Sequence, residues 1–354
     1  MIESPNDYIL QEDLENIANS DIPLDKISNS TVLVTGATGL VGSQFIKAIL
    51  CCNRIRNSNI KILAVVRNLQ KACDMYGPLA DNENLKFVVN DIVKPFDLAE
   101  NIDYIVHGAS VTNSKQMVTY PVETINTTIS GTGNILELAK KCNVKKCVYL
   151  SSMEMYGAPD PNLEIVNEND LGFIDCLNVR SCYSEGKRMA ENLCVSYCHE
   201  YGVNVCIARL AQTFGAGIGK GENRVFAQFA RSLINKTDIV LHTKGESYGN
   251  YCYTSDCVRG LIFLLANGEN GQAYNVSNPE TSIMIKDMAE MIADKSGGEI
   301  KVVYNIPKDS LKFGYAPTVK MKLGSAKLQS LGWKPKYSLS EMYDRLIKSM
   351  ELSD

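Results

Sequence analysis

The chain has 354 residues, 45% hydrophobic and 21% charged, ordinary values for a globular protein long enough to bury a large core without staples. Lys and Arg total 36 against 40 Asp and Glu, a net charge of −4, and there is no basic run. Nucleic acid and anionic membrane are therefore poor partner classes. Twelve Cys would suggest disulfides in a small secreted domain, yet Met1 to Asp7 has neither a basic nor an apolar leader region. No apolar run approaches the roughly 18 residues of a membrane span. The expectation is a cytoplasmic protein whose Cys are mostly small core residues. Cys51-Cys52, Cys194/Cys198/His199 and Cys252/Cys257 lack the paired C-x2-C spacing of a structural zinc site, so no metal is expected.

Residues 1–30 are polar and acidic with scattered apolar positions (Tyr8, Ile9, Leu14, Ile17), which suggests an arm or short helix over the core and no chemistry. Thr31 to Val34 is a β-branched run followed by a glycine-rich turn, and Ser43 to Cys52 carries the apolar spacing of a helix. Ile60–Val66, Phe87–Val89 and Tyr104–Val106 read as further strands. Thr124–Lys141 reads as a helix, Cys147–Leu150 as a strand, Tyr183–Tyr201 as a long helix and Val205–Leu210 as a sixth strand. Apolar strands alternating with helices predict an α/β fold: a doubly wound parallel sheet of the dinucleotide-binding (Rossmann) type over residues 31–211. After Gln212 the pattern loosens, and Gly215, Gly217, Gly219 and Gly221 suggest a flexible stretch. Residues 212–354 are expected to form mainly a smaller α/β substrate lobe, partly interleaved with the first.

The turn reads Thr35-Gly36-Ala37-Thr38-Gly39-Leu40-Val41-Gly42, or G-x-x-G-x-x-G. Glycines permit a tight turn and the approach of a pyrophosphate, and the following helix N-terminus supplies N–H donors and partial positive charge. Three glycines alone also fit a plain βα turn; their place between an apolar strand and a helix favours a dinucleotide. The second strand ends Val66-Arg67-Asn68 with no carboxylate for a ribose. Arg67 would suit the 2′-phosphate of NADP, or be a solvated or adenine-stacking residue, so NAD and NADP both stay open. Asp91 follows the third strand and is a candidate adenine contact. His107-Gly108-Ala109-Ser110 follows the fourth, with small residues where a cofactor would lie.

Tyr183 and Lys187 sit at i and i+4, on one helical face. Bringing a tyrosine from about 10 to about 7 requires about 4 kcal/mol of preferential phenolate stabilisation. The Lys187 ammonium and an oxidised nicotinamide are the expected sources. Ser152, after the fifth strand, is the hydroxyl that would orient a substrate oxygen. A single Y-x-x-x-K is often a surface helix face; the strand-end serine in the same βαβ series argues against that here.

The stretches TGATGLVGS, VVNDI, HGAS, SSMEMYG, CYSEGKR, IARLAQTFG, YCYTSD and LGWKPKYSL together resemble the extended short-chain dehydrogenase/reductase family, in its nucleotide-sugar epimerase, dehydratase and decarboxylase group. RSCYSEGKR looks most like UDP-glucuronate decarboxylases. The resemblance spans about residues 31–345. It implies oxidation of C4 of a nucleoside-diphosphate sugar, with Tyr183 as base, Ser152 as its partner, Lys187 behind them, and epimerisation or decarboxylation to follow. It further implies cofactor contacts from Gly36, Thr38, Gly39, Leu40, Val41, Gly42, Asp91, Ile92, Gly108, Ala109, Ser110 and Asn126. Substrate contacts would come from Thr112, Met153, Gln212, Arg224 and Tyr251, and two helices per subunit would pair into a homodimer.

Three departures qualify it. Dehydratases of the family carry Asp-Glu where this chain has Met153-Glu154, so the acid for a leaving hydroxyl is missing; Glu154 remains as a C5 base, a group facing the sugar, or a mere backbone partner. Decarboxylases carry Gln-Thr-Arg where this chain has Ser247-Tyr248-Gly249, which removes a bidentate anion clamp. Gln212 replaces the family's usual Asn. A reductase of 4-keto sugars using NADPH, and a non-catalytic dinucleotide-binding scaffold, are the competing readings.

Overall fold

The computed structural model describes residues 2–95, 97–306 and 320–353; residues 307–319 of the expected second lobe lie outside them. In chain order the elements are α1 (Tyr8–Ala18), β1 (Thr31–Thr35), α2 (Leu40–Arg56), β2 (Lys61–Val66), α3 (Leu69–Tyr76), β3 (Leu85–Val89), β4 (Tyr104–His107), α4 (Ser114–Thr119), α5 (Pro121–Lys141), β5 (Lys146–Ser152), α6 (Ser181–Tyr201), β6 (Val205–Leu210) and β7 (Gln212–Phe214). Beyond these come α7 (Val225–Ile234), β8 (Ile239–Leu241), β9 (Tyr248–Gly249), β10 (Tyr251–Tyr253), α8 (Thr254–Asn267), β11 (Ala273–Val276), β12 (Ile283–Met284), α9 (Ile285–Asp294), β13 (Val302–Tyr304), α10 (Ala326–Gln329) and α11 (Leu339–Ser353).

Seven strands form one sheet in the order β11-β6-β5-β4-β1-β2-β3, and every neighbouring pair is parallel. Both faces are covered, as the unbroken apolar strands require. Successive side chains of β1 show it: Val32 and Val34 join the core under α1, α2 and α8, while Leu33 joins the core under α5 and α6. The chain winds from β1 through β2 to β3, then returns to β4 on the other side of β1. That reversal opens a crevice at the carboxyl ends of β1 and β4, the position where doubly wound sheets bind ligands. A third cluster, built on Phe214, Phe226, Tyr251, Met342 and Tyr343, forms the C-terminal part.

The predicted strands and long helices are present, most with longer ends. Helices α3 and α4 were not anticipated: each is short and follows an Asx cap, Asn68 or Asn113, whose side chain accepts an N–H of the first turn. The expected boundary at Gln212 is crossed by α8 and β11, which return to the main sheet beside β6. The glycine run divides by its contacts. Gly215 packs on the Tyr253 ring and Gly217, at φ 74°, packs on Leu10; a Cβ at Gly219 or Gly221 would meet nothing.

The N-terminal stretch is a built part of the core. Leu14 and Ile17 of α1 are fully buried, whereas Tyr8 is exposed. Asp13 accepts from the Tyr253 hydroxyl at 2.6 Å and pairs with Arg345 at 2.8 Å. Glu3 pairs with Arg54 at 2.9 Å.

At the β1–β4 junction Thr35 and His107 are register partners. The Thr35 hydroxyl lies 2.7 Å from His107 Nδ1 and accepts the Ala109 N–H at 3.1 Å. Thr132 donates its own proton to Thr128 O at 2.6 Å, so its oxygen, 3.2 Å from His107 Nε2, accepts from the ring. His107 is thereby a neutral Nε2–H imidazole, and burial, with the nearby Lys187 charge, pushes it down to about 3. A histidine depressed in the folded state contributes stability above the unfolded value of about 6.5 that is lost as pH falls towards the folded one. Lowering the pH from 7 to 4.5 should cost the protein on the order of 2–3 kcal/mol from this group alone. His107→Gln should be less stable at pH 7 and lose less on acidification; parallel urea titrations at the two pH values check this, and equal slopes for both proteins would refute it.

Candidate active site

The glycine turn is shaped by contacts that exclude a side chain. Gly36 has φ 72°, and a Cβ there would lie 2.7 Å from Gly108 C and 2.9 Å from Ala109 N. A Cβ on Gly42 would lie 2.3 Å from Gly36 O, and one on Gly39 3.2 Å from the same oxygen. Gly39 caps α2, whose first turn carries no acidic residue, so its N–H groups face the crevice without a competing carboxylate. Thr38 is half-buried in the turn. Leu40 and Val41 face inward, Leu40 onto the C-terminal cluster and Val41 onto the main core. Tyr76 of α3 donates to Ala37 O at 2.7 Å and latches the turn from behind.

The other strand ends complete the crevice. Gly108 N–H donates to Thr35 O at 3.2 Å. Ser110 follows, its Oγ buried without a partner among the described residues. Arg67 is exposed at the end of β2, and Asp91 after β3 accepts the Val93 N–H at 3.2 Å. Ile92 is buried where a Cβ of Gly131 would otherwise fall, 2.5 Å from its Cδ1.

The proton-transfer set is assembled from β5 and α6. Tyr183 and Lys187 are 7% and 3% exposed, so neither is a surface residue of the helix. Lys187 donates to Leu150 O at 2.7 Å and stands 5.7 Å from the Tyr183 ring centre. Ser152 lies close enough to the Tyr183 phenol to lower its pKa. Burial pushes Tyr183 up to about 12 with Glu154 adding to the rise, while Ser152, Arg180 and Arg224 pull it down. Burial likewise pushes Lys187 down to about 8, against the raising influence of Glu191. Ser152 and two arginines thus pull the phenol down, and the Lys187 ammonium stands on the same helical face. Behind α6, Glu191 accepts from Ser151 at 2.5 Å and pairs with the buried Arg209 at 2.7 Å, fixing helix to sheet.

The remaining expected contacts divide. Met153 and Glu154 lie in the short 3-10 turn after Ser152, Met153 half-buried and Glu154 largely exposed. Arg224 precedes α7, pairs with Glu222 at 2.7 Å and is near enough to pull on Tyr183. Gln212 is half-buried at the start of β7, and Thr112 is exposed after Ser110. Asn126 lies on the exposed side of α5, whereas Thr124, Thr128 and Thr132 form its buried face. Tyr251 is a correction: it is fully buried among Phe214 and Tyr343, with its ring where a Gly249 side chain would stand, and does not reach a ligand. Sequence reading missed Tyr76 and Arg180. Arg180 belongs to the RSCYSEGKR stretch, and its place three residues before Tyr183 puts it beside that ring.

Comparison with known proteins agrees with this arrangement. The model of the NAD dependent epimerase/dehydratase family matches residues 32–277. The chain belongs to that family. Curated relatives include UDP-glucuronic acid decarboxylase 6 of Arabidopsis thaliana, 30% identical, covering 89% of this chain and 87% of that protein. UDP-glucuronic acid decarboxylase 1 of Xenopus tropicalis is 28% identical over 92% of this chain and 73% of its own. Among solved structures, UDP-glucose 4-epimerase of Thermotoga maritima with UDP-glucose superposes with TM-score 0.73 at 20% identity, covering 91% of this chain and 99% of that one. The dTDP-glucose 4,6-dehydratase of Streptomyces venezuelae with NAD bound gives 0.73 at 20%, covering 91% and 97%; these two show the fold. The family member described here is a nucleotide-sugar-modifying enzyme that works with a nicotinamide dinucleotide.

The residues present fit that cofactor. The turn at Gly36, Gly39 and Gly42 is a cradle that side chains would fill, and Ser110 Oγ is an orphaned buried donor beside it. When bound, the cofactor supplies a hydride acceptor. Gly42→Ala should cost about 1–3 kcal/mol of stability through overpacking. It should also weaken NAD binding roughly tenfold or more, as seen by titration calorimetry. Gly219→Ala, in open space, should change neither; equal NAD affinity in all three proteins would remove the turn from the site.

Proposed function

We propose that the protein oxidises C4 of a nucleoside-diphosphate hexose with retained NAD and returns the hydride to the other face, an epimerase-type outcome. In the forward half-reaction the C4 hydroxyl would give its proton to the Tyr183 phenolate, for which a bound nicotinamide would supply the hydride acceptor. Ser152 orients the substrate oxygen, and Lys187, buried beneath, holds the ribose side. In the return half-reaction Tyr183 gives the proton back to the reduced C4 oxygen. The observation that carries this reading is the buried constellation itself: Tyr183 and Lys187 buried on one face of α6, with the Lys187 ammonium 5.7 Å from the Tyr183 ring and Ser152 at the adjoining end of β5.

A neutral sugar is favoured over a hexuronate by the charges around it. Arg180 is closed on Glu154 and Arg224 on Glu222. At Gly249 the space of a clamping side chain is taken by the Tyr251 ring, its hydroxyl 2.3 Å from the Cβ position. A sugar carboxylate would have to break an existing ion pair to be recognised. Met153, in place of an acid, removes the proton donor for dehydration. Decarboxylation is the second reading, favoured by the 30% identity to UDP-glucuronic acid decarboxylase 6 of Arabidopsis thaliana. A homodimer through α5 and α6 accompanies either reading, and no described helix is long and apolar enough to cross a membrane.

Three measurements test the proposal. The dinucleotide released by denaturing the purified protein should weigh as NAD; NADP would turn the assignment to a reductase using Arg67. With UDP-glucose and UDP-N-acetylglucosamine as probes a C4 epimer should form, and with UDP-glucuronate no carbon dioxide. Tyr183→Phe should lower turnover by about 10²–10⁴-fold while dinucleotide binding persists. Unchanged turnover would overturn the role of Tyr183, and carbon dioxide release would establish the second reading.

A further inference from the structure

Tyr183 is bracketed by charges from every element around it. Arg180 lies on the turn before α6, and its guanidinium carbon is 5.8 Å from the Tyr183 ring centre. Its Nη2 bridges both oxygens of Glu154, at 2.8 and 3.1 Å. Glu154 is itself held to the strand end, its N–H donating to Ser152 Oγ at 3.2 Å. The turn that carries Arg180 is fixed by Asn178, whose side chain accepts the Arg180 N–H at 2.9 Å, and by Ser181, which donates to Asp175 O at 2.6 Å. The other charged or titratable groups facing the ring are Lys187 on α6, Tyr149 on β5 and Arg224 before α7. Arg224 is paired with Glu222, and Lys187, which donates to the uncharged Leu150 O, is the same in every variant below, so that the pair which changes is Arg180 and Glu154. Tyr149 is neutral, since burial holds its phenol well above the usual range.

One carboxylate beside a buried phenol that must ionise is therefore balanced by one guanidinium. We propose that Arg180 is a positioning residue for catalysis: by holding Glu154 across both oxygens, it cancels the repulsion that this carboxylate exerts on a phenolate at Tyr183. The inference rests on the reading of Tyr183 as the C4 base. It assigns a role to a side chain that touches neither the hydride path nor the glycine cradle, and it makes the two partners act with opposite sign. Removing Arg180 leaves an uncompensated carboxylate and should raise the ionisation midpoint of Tyr183. Removing Glu154 leaves an uncompensated cation and should lower it. Removing both should bring it back. At about 6 Å, the distance of the Arg180 guanidinium from the ring centre, and an effective dielectric near 20, loss of Arg180 should move the midpoint by on the order of one to two pH units, and loss of Glu154 should move it the other way.

The test needs no substrate. Tyrosinate absorbance is titrated in the NAD-loaded protein, each variant being read against the same variant carrying Tyr183→Phe, so that the difference reports one phenol. Arg180→Gln should raise the midpoint, Glu154→Gln lower it, and the double variant fall within a few tenths of a unit of the unsubstituted protein. Arg180→Lys, which keeps the charge and loses the bridging geometry, should stay close to the unsubstituted protein. Shifts of the same sign in both single variants, or no shift in either, overturn the proposal. A merely structural role would give same-sign shifts or lost folding, and the Lys variant, which preserves the charge, keeps the titration readable if Arg180→Gln does not fold. The failure of the C4-base reading is distinct: it appears as unchanged turnover in Tyr183→Phe, whatever the titrations give.

Discussion

The contact on which the site depends is that of Gly36 against Gly108, where the turns after β1 and β4 approach so closely that one Cβ would collide with backbone. The approach occurs at the reversal of strand order, the one place in the sheet where two neighbouring strands send their chains in opposite directions. Everything the cofactor half of the site needs is consequent on it. The α2 N-terminus is brought over the crevice, Ser110 is set beside the turn, and Thr35 is left to satisfy both Ala109 N–H and the His107 ring. Since Thr132 completes the His107 chain from α5, the helix that flanks the site on one face is tied to the same junction. A bulkier residue at Gly36 would separate the two strands and detach these contacts together.

The catalytic half is governed by a different constraint, the cost of ionising groups away from water. Tyr183 and Lys187 are both pushed by burial towards their neutral forms, which is the wrong direction for a phenolate and for an ammonium. The fold offsets this with fixed partners instead of solvent: Leu150 O and the Glu191 charge for Lys187, Ser152, Arg180 and Arg224 for Tyr183. Glu191 serves twice, since its carboxylate also pairs with Arg209, which reaches the Tyr156 hydroxyl at 2.9 Å. The ion pair thus joins α6, β6 and the segment after β5 into one rigid body. Such pre-orientation is what proton transfer at a defined atom requires.

The local framework of both halves was legible because its signals are local. A strand, three glycines and a helix lie within a dozen residues, and Tyr183 and Lys187 are one helical turn apart. The seven-strand sheet was legible through its unbroken apolar runs, except that β11 comes after α8, far along the chain, where nothing local announces a return to the sheet. Tyr251 failed for a related reason: its neighbours in sequence suit a ligand contact, but its burial is decided by α11 and by the missing side chain at Gly249. Arg180 and Tyr76 went unread because each acts on a residue that proximity in three dimensions selects. The N-terminal segment was expected as an arm or short helix over the core, but the partners of its polar residues Glu3, Asp7 and Asp13 had no sequence signal. In the structure they are buried, and partners from α2 and α11 hold them.

These two halves differ in how freely they can change. The cradle, the β1–β4 junction and the Tyr183–Lys187 face constrain one another through backbone contacts, so substitution at one disturbs several. The sugar end is built from separate side chains, Met153, Gln212, Gly249 and Arg224, on different elements. None of them is a residue of the seven-stranded sheet. Oxidation at C4 is common to epimerisation and decarboxylation, and the fate of the ketone depends on which charges meet the ring substituent at C5. On the reading proposed above, the arginines at that end are already matched by Glu154 and Glu222, which leaves a sugar carboxylate without a free partner and favours return of hydride. The reaction class is thus set by the rigid half of the molecule and the outcome by the adaptable one.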